Sequence, residues 1–397
     1  MDCLEIERDQ VTLCILLGAG QYGQVYKGIY TDCFGTNRII AVKVEKTEEN
    51  KEVECNEADA LRMLRHDFII NLIGVCNDRC NTSPMLMMEF AEYGELGEYL
   101  QINRPFVDTE MLLYYMWQVS SALTYIHSKD YVHRDIAVRN ILVMNPRHVK
   151  LADFGLARKL ENNIYIGKYY KVPIRWMSPE SLKLNSFSTA SDIWMFGVCV
   201  WEMLMYGAKP YNGMSNNEAF DCILRGNLLH TPEFCPEGLE ELILNCWNYC
   251  PTRRPDSRKI ENQLCKIINE HLSSEIDSED EITQPKPPKM SIKDIANQVI
   301  INNRNSKFIE ENIFSNYDNT VWLSSPLQNN STNSSNNYVD QYEYMDIRSN
   351  HVLDYSSYDY DSSNYNDNLN SLLAQQLRSS EEDAEWLKQC EQSFSFV

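Results

Sequence analysis

The chain has 397 residues with 57 acidic against 36 basic side chains, a formal net charge of −21, so it is too long for one ordinary domain and offers nucleic acid or an anionic membrane no basic stripe. Its 13 cysteines are odd in number and scattered, 12 of them before residue 273, which excludes a disulfide-stapled secreted scaffold and fits reduced thiols. The charged start MDCLEIERDQ is no signal peptide, and the most apolar stretch, Ile193–Tyr206, contains Glu202 and is too short to span a bilayer, so a soluble, cytoplasmic protein without a transmembrane segment is expected.

Residues 11–45 alternate apolar and polar positions around glycines, which predicts strands at Val11–Leu17, Gln24–Tyr30 and Ile39–Val44. A helix is predicted over 51–65, then strands at Ile69–Val75 and Met85–Phe90. From Leu96 onward helical spacing dominates, with Thr109–Ser128 a long amphipathic helix behind Asp108 or Thr109 as N-cap. Cys76/Cys80 and Cys246/Cys250 are C-x3-C pairs, but neither has the second pair or His that a zinc site needs, so buried structural thiols are expected there.

The expected class is α+β in two lobes: a small β-rich N-lobe over about 8–90 with one main helix, and a larger helical C-lobe over about 91–272. Beyond residue 272 the composition changes. All 15 glycines lie at or before Gly238, QPKPPK reads as a linker, and 273–397 carries 21 acidic against 8 basic residues. The stretch 328–370 is rich in Asn, Ser, Asp and Tyr and cannot bury enough apolar surface to offset ordering entropy. A disordered acidic tail is predicted over 273–397, with a short helix only over about 369–393.

Gly18-Ala19-Gly20-Gln21-Tyr22-Gly23-Gln24-Val25 has the form G-x-G-x-x-G-x-V, in which missing side chains let backbone N–H groups approach nucleotide phosphates. A tight hairpin can also hold three glycines, so the motif gains weight from the residues downstream of it. In Ala41-Val42-Lys43 a lysine stands inside an apolar run, where it needs an anion. Its expected ion-pair partner is Glu57 on the next helix, with Glu54 one turn earlier as the alternative.

His133-Arg134-Asp135-Ile136-Ala137-Val138-Arg139-Asn140 is followed by Asp153-Phe154-Gly155 and Ser178-Pro179-Glu180. In this order the residue types fit phosphoryl transfer from ATP: Asp135 as the base for an attacking hydroxyl, Asn140 and Asp153 as oxygen ligands for Mg²⁺. One such aspartate alone is more often a helix cap, but four motifs in sequence do not arise that way. Ala137 stands where enzymes acting on Ser or Thr usually carry Lys, and Arg139 lies four residues after Asp135. Lys171–Met177 resembles the substrate platform of tyrosine kinases, in which a proline supports a flat phenol ring, so Pro173 is implied in that role.

With these motifs the sequence resembles protein-tyrosine kinases. LEIERDQVTLCILLGAGQYGQVYKGIY, GELGEYLQ, VHRDIAVRN and DIWMFGVCVWEMLMYGAKPYNG are similar to the focal adhesion kinase subfamily over nearly all of 1–272, and Glu381–Leu387 resembles an acidic Trp-Leu segment of that subfamily's linker. The resemblance implies a two-lobed protein kinase fold and signalling activity in the cytoplasm, at adhesion sites or the inner face of the plasma membrane. It also implies Met88 as gatekeeper, Glu89 and Ala91 as hinge contacts to adenine, and a stacked spine of Leu61, Leu72, His133 and Phe154. Asp192 would anchor the catalytic loop, and Glu180 would pair with Arg254.

The sequence departs from that pattern in places. The interval from Lys43 to Glu57 is short, Ser178 replaces Ala, and Tyr165-Ile166 stands where the subfamily has adjacent tyrosines. The subfamily's amino-terminal regulatory domain and carboxy-terminal targeting bundle have no counterpart here, so a truncated product is one reading. Tyr165 is the expected activating phosphosite, with Tyr169 and Tyr170 as alternatives and Arg134 and Arg158 or Lys159 as cationic partners for the phosphate. In the tail, Tyr342-Glu343-Tyr344-Met345 has the form read by SH2 domains and Pro285–Pro288 that of an SH3 ligand; a polar spacer and a plain linker are the alternatives. Two rival functions remain: a pseudokinase scaffold, and the cytoplasmic part of a receptor kinase.

Overall fold

The structure is a computed structural model that describes residues 4–19, 23–45, 56–76, 85–167, 171–279 and 345–346. Gly20, Gln21, Tyr22, Glu54, Cys80, Tyr169, Tyr170, Pro285–Pro288, 369–393 and the tail tyrosines lie outside the described residues.

The first lobe is one twisted sheet with one helix. Its strands are β1 (Leu4–Glu5), β2 (Val11–Ala19), β3 (Gly23–Thr31), β4 (Asn37–Glu45), β5 (Leu72–Cys76) and β6 (Met85–Glu89), and α1 (Asn56–Met63) lies between β4 and β5 in the chain. Hydrogen-bonded neighbours run β1-β5-β6-β4-β3-β2, antiparallel except β1 beside β5. The two-residue period of a strand explains the unbroken apolar run of β6. Met85 and Met87 enter a cluster with Ile40 and Val42, while Leu86 and Met88 join the larger core that includes Leu61 of α1. Both faces of β6 are therefore covered. Gly28 sits at the close approach of β2 to β4, where a Cβ would stand 2.9 Å from Val42 Cγ2 and 3.0 Å from the Thr12 carbonyl.

The expected strand Ile69–Val75 divides. Ile70 N–H donates to the Leu151 carbonyl (2.9 Å) and Leu151 N–H to Phe68 (2.8 Å), so residues 68–70 pair with the second lobe and strand β5 begins only at Leu72. This stitch ties the lobes together beside the site.

The second lobe is helical: α2 (Leu96–Ile102), α3 (Thr109–Ser128), α4 (Pro179–Leu184), α5 (Thr189–Leu204), α6 (Asn216–Leu224), α7 (Leu239–Cys246) and α8 (Ser257–Glu279). Asp108 caps α3 by accepting from Met111 N–H at 2.8 Å, a bond that supports a helix start by about 1 kcal/mol. Helix α5 carries the apolar stretch and is buried from Ser191 to Leu204 without a break. It forms the axis of the lobe, and burial of Trp194 or Phe196 alone contributes roughly 1.5–3 kcal/mol. Helix α8 continues past residue 272, where the expected domain limit lay.

Short antiparallel pairs frame the lobe's upper surface: β7 (Tyr131–Val132) with β10 (Arg158–Lys159), β8 (Ile141–Asn145) with β9 (His148–Leu151), β11 (Tyr165–Ile166) with β13 (Ser186–Phe187), and β12 (Lys171–Val172) with β14 (Met345–Asp346). Among the described residues no helix is long and apolar enough to cross a membrane. Cys76, Cys246 and Cys250 are buried free thiols.

Candidate active site

Between the lobes three charged side chains from three elements meet. Lys43 on β4 donates to Glu57 of α1 at 2.6 Å and to Asp153 at 2.9 Å. Glu57 thus faces the sheet across the short interval. Burial pushes the Lys43 ammonium down, but the carboxylates of Asp153 and Glu57 outweigh it and hold the group above its ordinary value. For Glu57, burial raises its carboxyl against the pull of Lys43, consistent with an Oε1 that lacks a hydrogen-bond partner. At Asp153, burial is overcome by Lys43 and the carboxyl is held below the ordinary value.

Asp153 has a left-handed backbone (φ 57°) and accepts from Gly155 N–H at 3.4 Å. A side chain at Gly155 would stand 3.3 Å from Asp153 Oδ1 and 3.6 Å from Glu57 Oε2, crowding both carboxylates. Phe154 is fully buried, its ring edge-on to His133 with centroids 4.7 Å apart, and Leu61 and Leu72 share that core. His133 Nδ1 accepts from Asp135 N–H (3.3 Å), so Nε2 carries the hydrogen and donates to the Ala152 carbonyl (3.1 Å).

The loop bearing Asp135 is fixed from below by Asp192 of α5, which accepts from His133 N–H (2.7 Å) and Arg134 N–H (2.9 Å). Those bonds hold Arg134 at φ 69°, a conformation that costs a non-glycine residue about 1–3 kcal/mol. Asn140 Nδ2 donates to the Asp135 carbonyl (2.8 Å). Arg139 Nη2 pairs with Asp135 Oδ1, and its guanidinium lies 4.2 Å over the Trp176 ring. The base candidate is thereby linked to the Lys171–Met177 platform. Arg175 clamps that platform by donating to Asn216, Pro210, Tyr211 and Met214.

The donor set fits a small hard cation. Asn140 has spent its amide nitrogen on Asp135, which leaves its side-chain oxygen, and Asp153, 34% exposed, uses Oδ1 on Lys43. Two oxygen donors with room for phosphate oxygens match Mg²⁺. Among the described residues no group of three or more His, Cys, Asp or Glu could hold a metal by itself.

Across the glycine motif, Gly18 faces Val25 and Gly23 faces Glu45. A Cβ at Gly18 would meet nothing within 4 Å, and Ala19 ends β2. Ala41 pairs Met88 across the sheet, and Met88 is buried. Glu89 starts the connection to the second lobe; its N–H donates to Asn71 (3.1 Å) and its carboxylate accepts from Lys150 (2.6 Å). The Ala91 carbonyl accepts from Gly94 N–H at 3.4 Å.

The profile of the family described as protein tyrosine and serine/threonine kinase matches residues 11–264. The chain belongs to this kinase family. The chain is 40% identical over 296 residues to the inactive tyrosine-protein kinase kin-32 of Caenorhabditis elegans, a match covering 73% of this chain and 32% of that protein. It is 38% identical over 284 residues to the tyrosine-protein kinase transforming protein Abl of Abelson murine leukemia virus, 70% of this chain and 37% of that one. The chain thus spans about a third of the length of these relatives.

Several kinase-site contacts were not read from the sequence. His127 Nε2 stands 3.2 Å from Asp192, Glu202 accepts from Val138 N–H at 3.1 Å, and Lys150 holds Glu89. Glu202 had a signal, because a charge inside the apolar helix α5 must meet a partner. Tyr165 is half-buried, its ring 4.7 Å from the Arg134 guanidinium and 5.9 Å from that of Arg158; Lys159 is exposed. Arg254 donates two hydrogen bonds to the Glu180 carboxylate, at 2.6 and 2.8 Å, in a buried ion pair.

Proposed function

We propose that the chain transfers the γ-phosphoryl group of ATP to tyrosine hydroxyls of proteins, as a non-receptor kinase of the focal adhesion kinase type. The observation that carries the reading is the complete set at one place: Lys43 held by Glu57 and Asp153, with Asp135 paired to Arg139 and bonded to Asn140. In this reading Lys43 and the Gly18–Val25 loop hold phosphates, and Asp135 orients the phenol and takes its proton. Arg139 keeps Asp135 aimed toward the platform around Pro173. Mg²⁺, held by Asn140 and Asp153, would neutralise charge on the phosphates. Positioning and charge compensation supply most of the rate. The Glu89 carbonyl and the Ala91 N–H are the hinge groups that would meet adenine, since their companion groups are spent on Asn71 and Gly94.

Tyrosine specificity is supported by Ala137 and Arg139 on the catalytic loop. We also propose a cytoplasmic location, reaching adhesion sites or the inner face of the plasma membrane, with SH2-type partners for tail phosphotyrosines and an SH3-type partner for Pro285–Pro288. One observation favours a second reading, a scaffold without turnover: a 40% identical relative is named inactive. The intact set of charged residues weighs against it. Incubating the purified chain with labelled ATP, Mg²⁺ and matched tyrosine and serine peptides tests the assignment. Label confined to the tyrosine peptide is expected; no label on either supports the scaffold, and label on serine refutes the specificity.

A further inference from the structure

Behind the loop that bears Asp135, three side chains from three helices stand in a row. Ser257 Oγ in the first turn of α8 lies 3.2 Å from His127 Nδ1, and His127 Nε2 lies 3.2 Å from Asp192 Oδ2. His127 belongs to the last turn of α3 and Asp192 to the first turn of α5. A carboxylate only accepts, so Nε2 carries the hydrogen and Nδ1 is left to accept from the Ser257 hydroxyl. Ser, His and Asp in this order also form the triad that activates a nucleophilic serine. That role is closed here, because Ser257 is buried and no substrate can reach its hydroxyl.

What the row touches is the support of the base. Asp192 Oδ2 is shared between His127 Nε2 and the His133 N–H (2.7 Å), and Oδ1 takes the Arg134 N–H (2.9 Å). A buried carboxylate needs its donors, and His127 supplies one from outside the loop, which fixes the rotation of the carboxylate. Arg134, directly before Asp135, is held at φ 69°; such a backbone persists while its surroundings over-determine it. A carboxylate free to turn would loosen both N–H bonds and let residues 133–135 relax. Ser257 is itself fixed. Asp256 caps α8 by accepting from Lys259 N–H (2.9 Å), and Ile260, Leu264 and Ile267 of α8 are buried in one core with Ile126 of α3. Just ahead, Arg254 donates to the Ala190 carbonyl of α5 at 2.8 Å. The start of α8 is thus joined to α3 and α5 at the point from which the loop hangs.

We propose that His127 and Ser257 are positioning residues for phosphoryl transfer: through Asp192 they hold Asp135 in its working place, which makes the first turn of α8 part of the catalytic support. This rests on the kinase activity proposed above. Because positioning supplies much of the rate, a displacement of about 1 Å can cost on the order of 10²-fold. Without His127 the His133 and Arg134 bonds still tie the loop, so a smaller fall is expected, about 10-fold in kcat. The nucleotide is held in this reading by Lys43, the Gly18–Val25 loop and the hinge, so KM for ATP should stay within about 2-fold.

The test measures turnover of the full chain on a tyrosine peptide with ATP and Mg²⁺, beside hydrogen exchange of the His133 and Arg134 amides, which needs no turnover. His127→Phe keeps a ring and removes both nitrogens; it is expected to lower kcat about 10-fold and to speed exchange of those two amides by about 10-fold or more. His127→Gln, whose amide can donate to Asp192, should restore most of the turnover and of the protection. Ser257→Ala removes one buried oxygen and should lower kcat by about 3-fold with KM for ATP unchanged. If His127→Phe does not fold, Ser257→Ala carries the test by the same two readouts. A lower melting temperature with kcat and exchange unchanged makes the row a plain packing contact and overturns the proposal. So does a change confined to KM for ATP, or an equal loss in His127→Gln and His127→Phe. A wild-type chain without turnover overturns the kinase reading and the catalytic role with it, whereas unchanged exchange in His127→Phe overturns the support of the loop whatever the turnover.

Discussion

Glu57→Gln isolates the work of one carboxylate. The variant keeps the shape of the side chain but removes the charge that ties Lys43 to α1 at 2.6 Å, leaving Asp153 at 2.9 Å as the lysine's partner. At that separation the pair attracts by about 6 kcal/mol at an effective dielectric near 20. Most of this is offset by burial of Glu57, whose carboxyl burial already raises and whose Oε1 has no partner. What remains is the difference between a charge-assisted bond and a neutral one, about 1–1.5 kcal/mol. If that difference holds Lys43 in its phosphate-binding position, kcat/KM falls roughly 5- to 13-fold. Folding should change by no more than about 1 kcal/mol, a Tm shift of about 2–4 °C for a domain of this size. Glu54→Gln, three residues earlier in the chain, should cost far less. Steady-state kinetics on a tyrosine peptide beside a thermal melt measures both quantities. Undiminished kcat/KM in Glu57→Gln, or an equal loss in Glu54→Gln, would refute the assignment of the ion pair.

Three further outcomes rest on particular contacts. Glu180→Ala strands the Arg254 guanidinium, whose side chain has no exposed surface; it should lose about 3–5 kcal/mol of stability, measured by urea unfolding, and a loss below about 1 kcal/mol contradicts the burial argument. The Asp153 carboxyl is held below its ordinary 3.8 by Lys43 against burial, so its contribution is present above that pH and is lost as pH falls through the folded-state value. The Tm of Asp153→Asn should therefore fall less than that of the wild type between about pH 5 and pH 3; parallel curves would show that this ion pair is not linked to folding. Because the Tyr165 ring already lies against Arg134 and Arg158, a phosphate there adds charge where cations stand, and Tyr165→Phe should abolish the gain in activity on preincubation with ATP. A full gain in that variant, with loss instead in Tyr169→Phe/Tyr170→Phe, moves the switch to those tyrosines.

Much of this arrangement was legible in the chain because local chemistry dictated it. Lys43 within an apolar strand, Asp135 and Asn140 five residues apart, and the 3.6-residue spacing of Thr109–Ser128 each carry their own physical signature. The resemblance also named Asp192 and the Glu180–Arg254 pair, and the structure brings both together as implied. What could not be read were partners distant in sequence whose residue types are common. Lys150 on Glu89 and His127 on Asp192 look, in sequence, like an ordinary surface lysine and an ordinary helix histidine. The two-residue strands β10 to β14 are too short to show any period. Ile69 and Ile70 have the composition of a strand, yet their backbone pairs across to Leu151, a choice set by how the lobes meet.

Turnover by Asp135→Asn tests the central claim most directly. The amide preserves shape, and the Asn140 bond goes to the backbone carbonyl of residue 135 and survives, while the group that takes the phenolic proton is gone. Rapid-quench measurement of phosphate transfer to a tyrosine peptide, with nucleotide affinity measured in parallel, should show kcat lower by roughly 10²- to 10⁴-fold and ATP binding little changed. Undiminished turnover in the variant, or a wild-type protein that binds ATP and transfers nothing, would contradict the account.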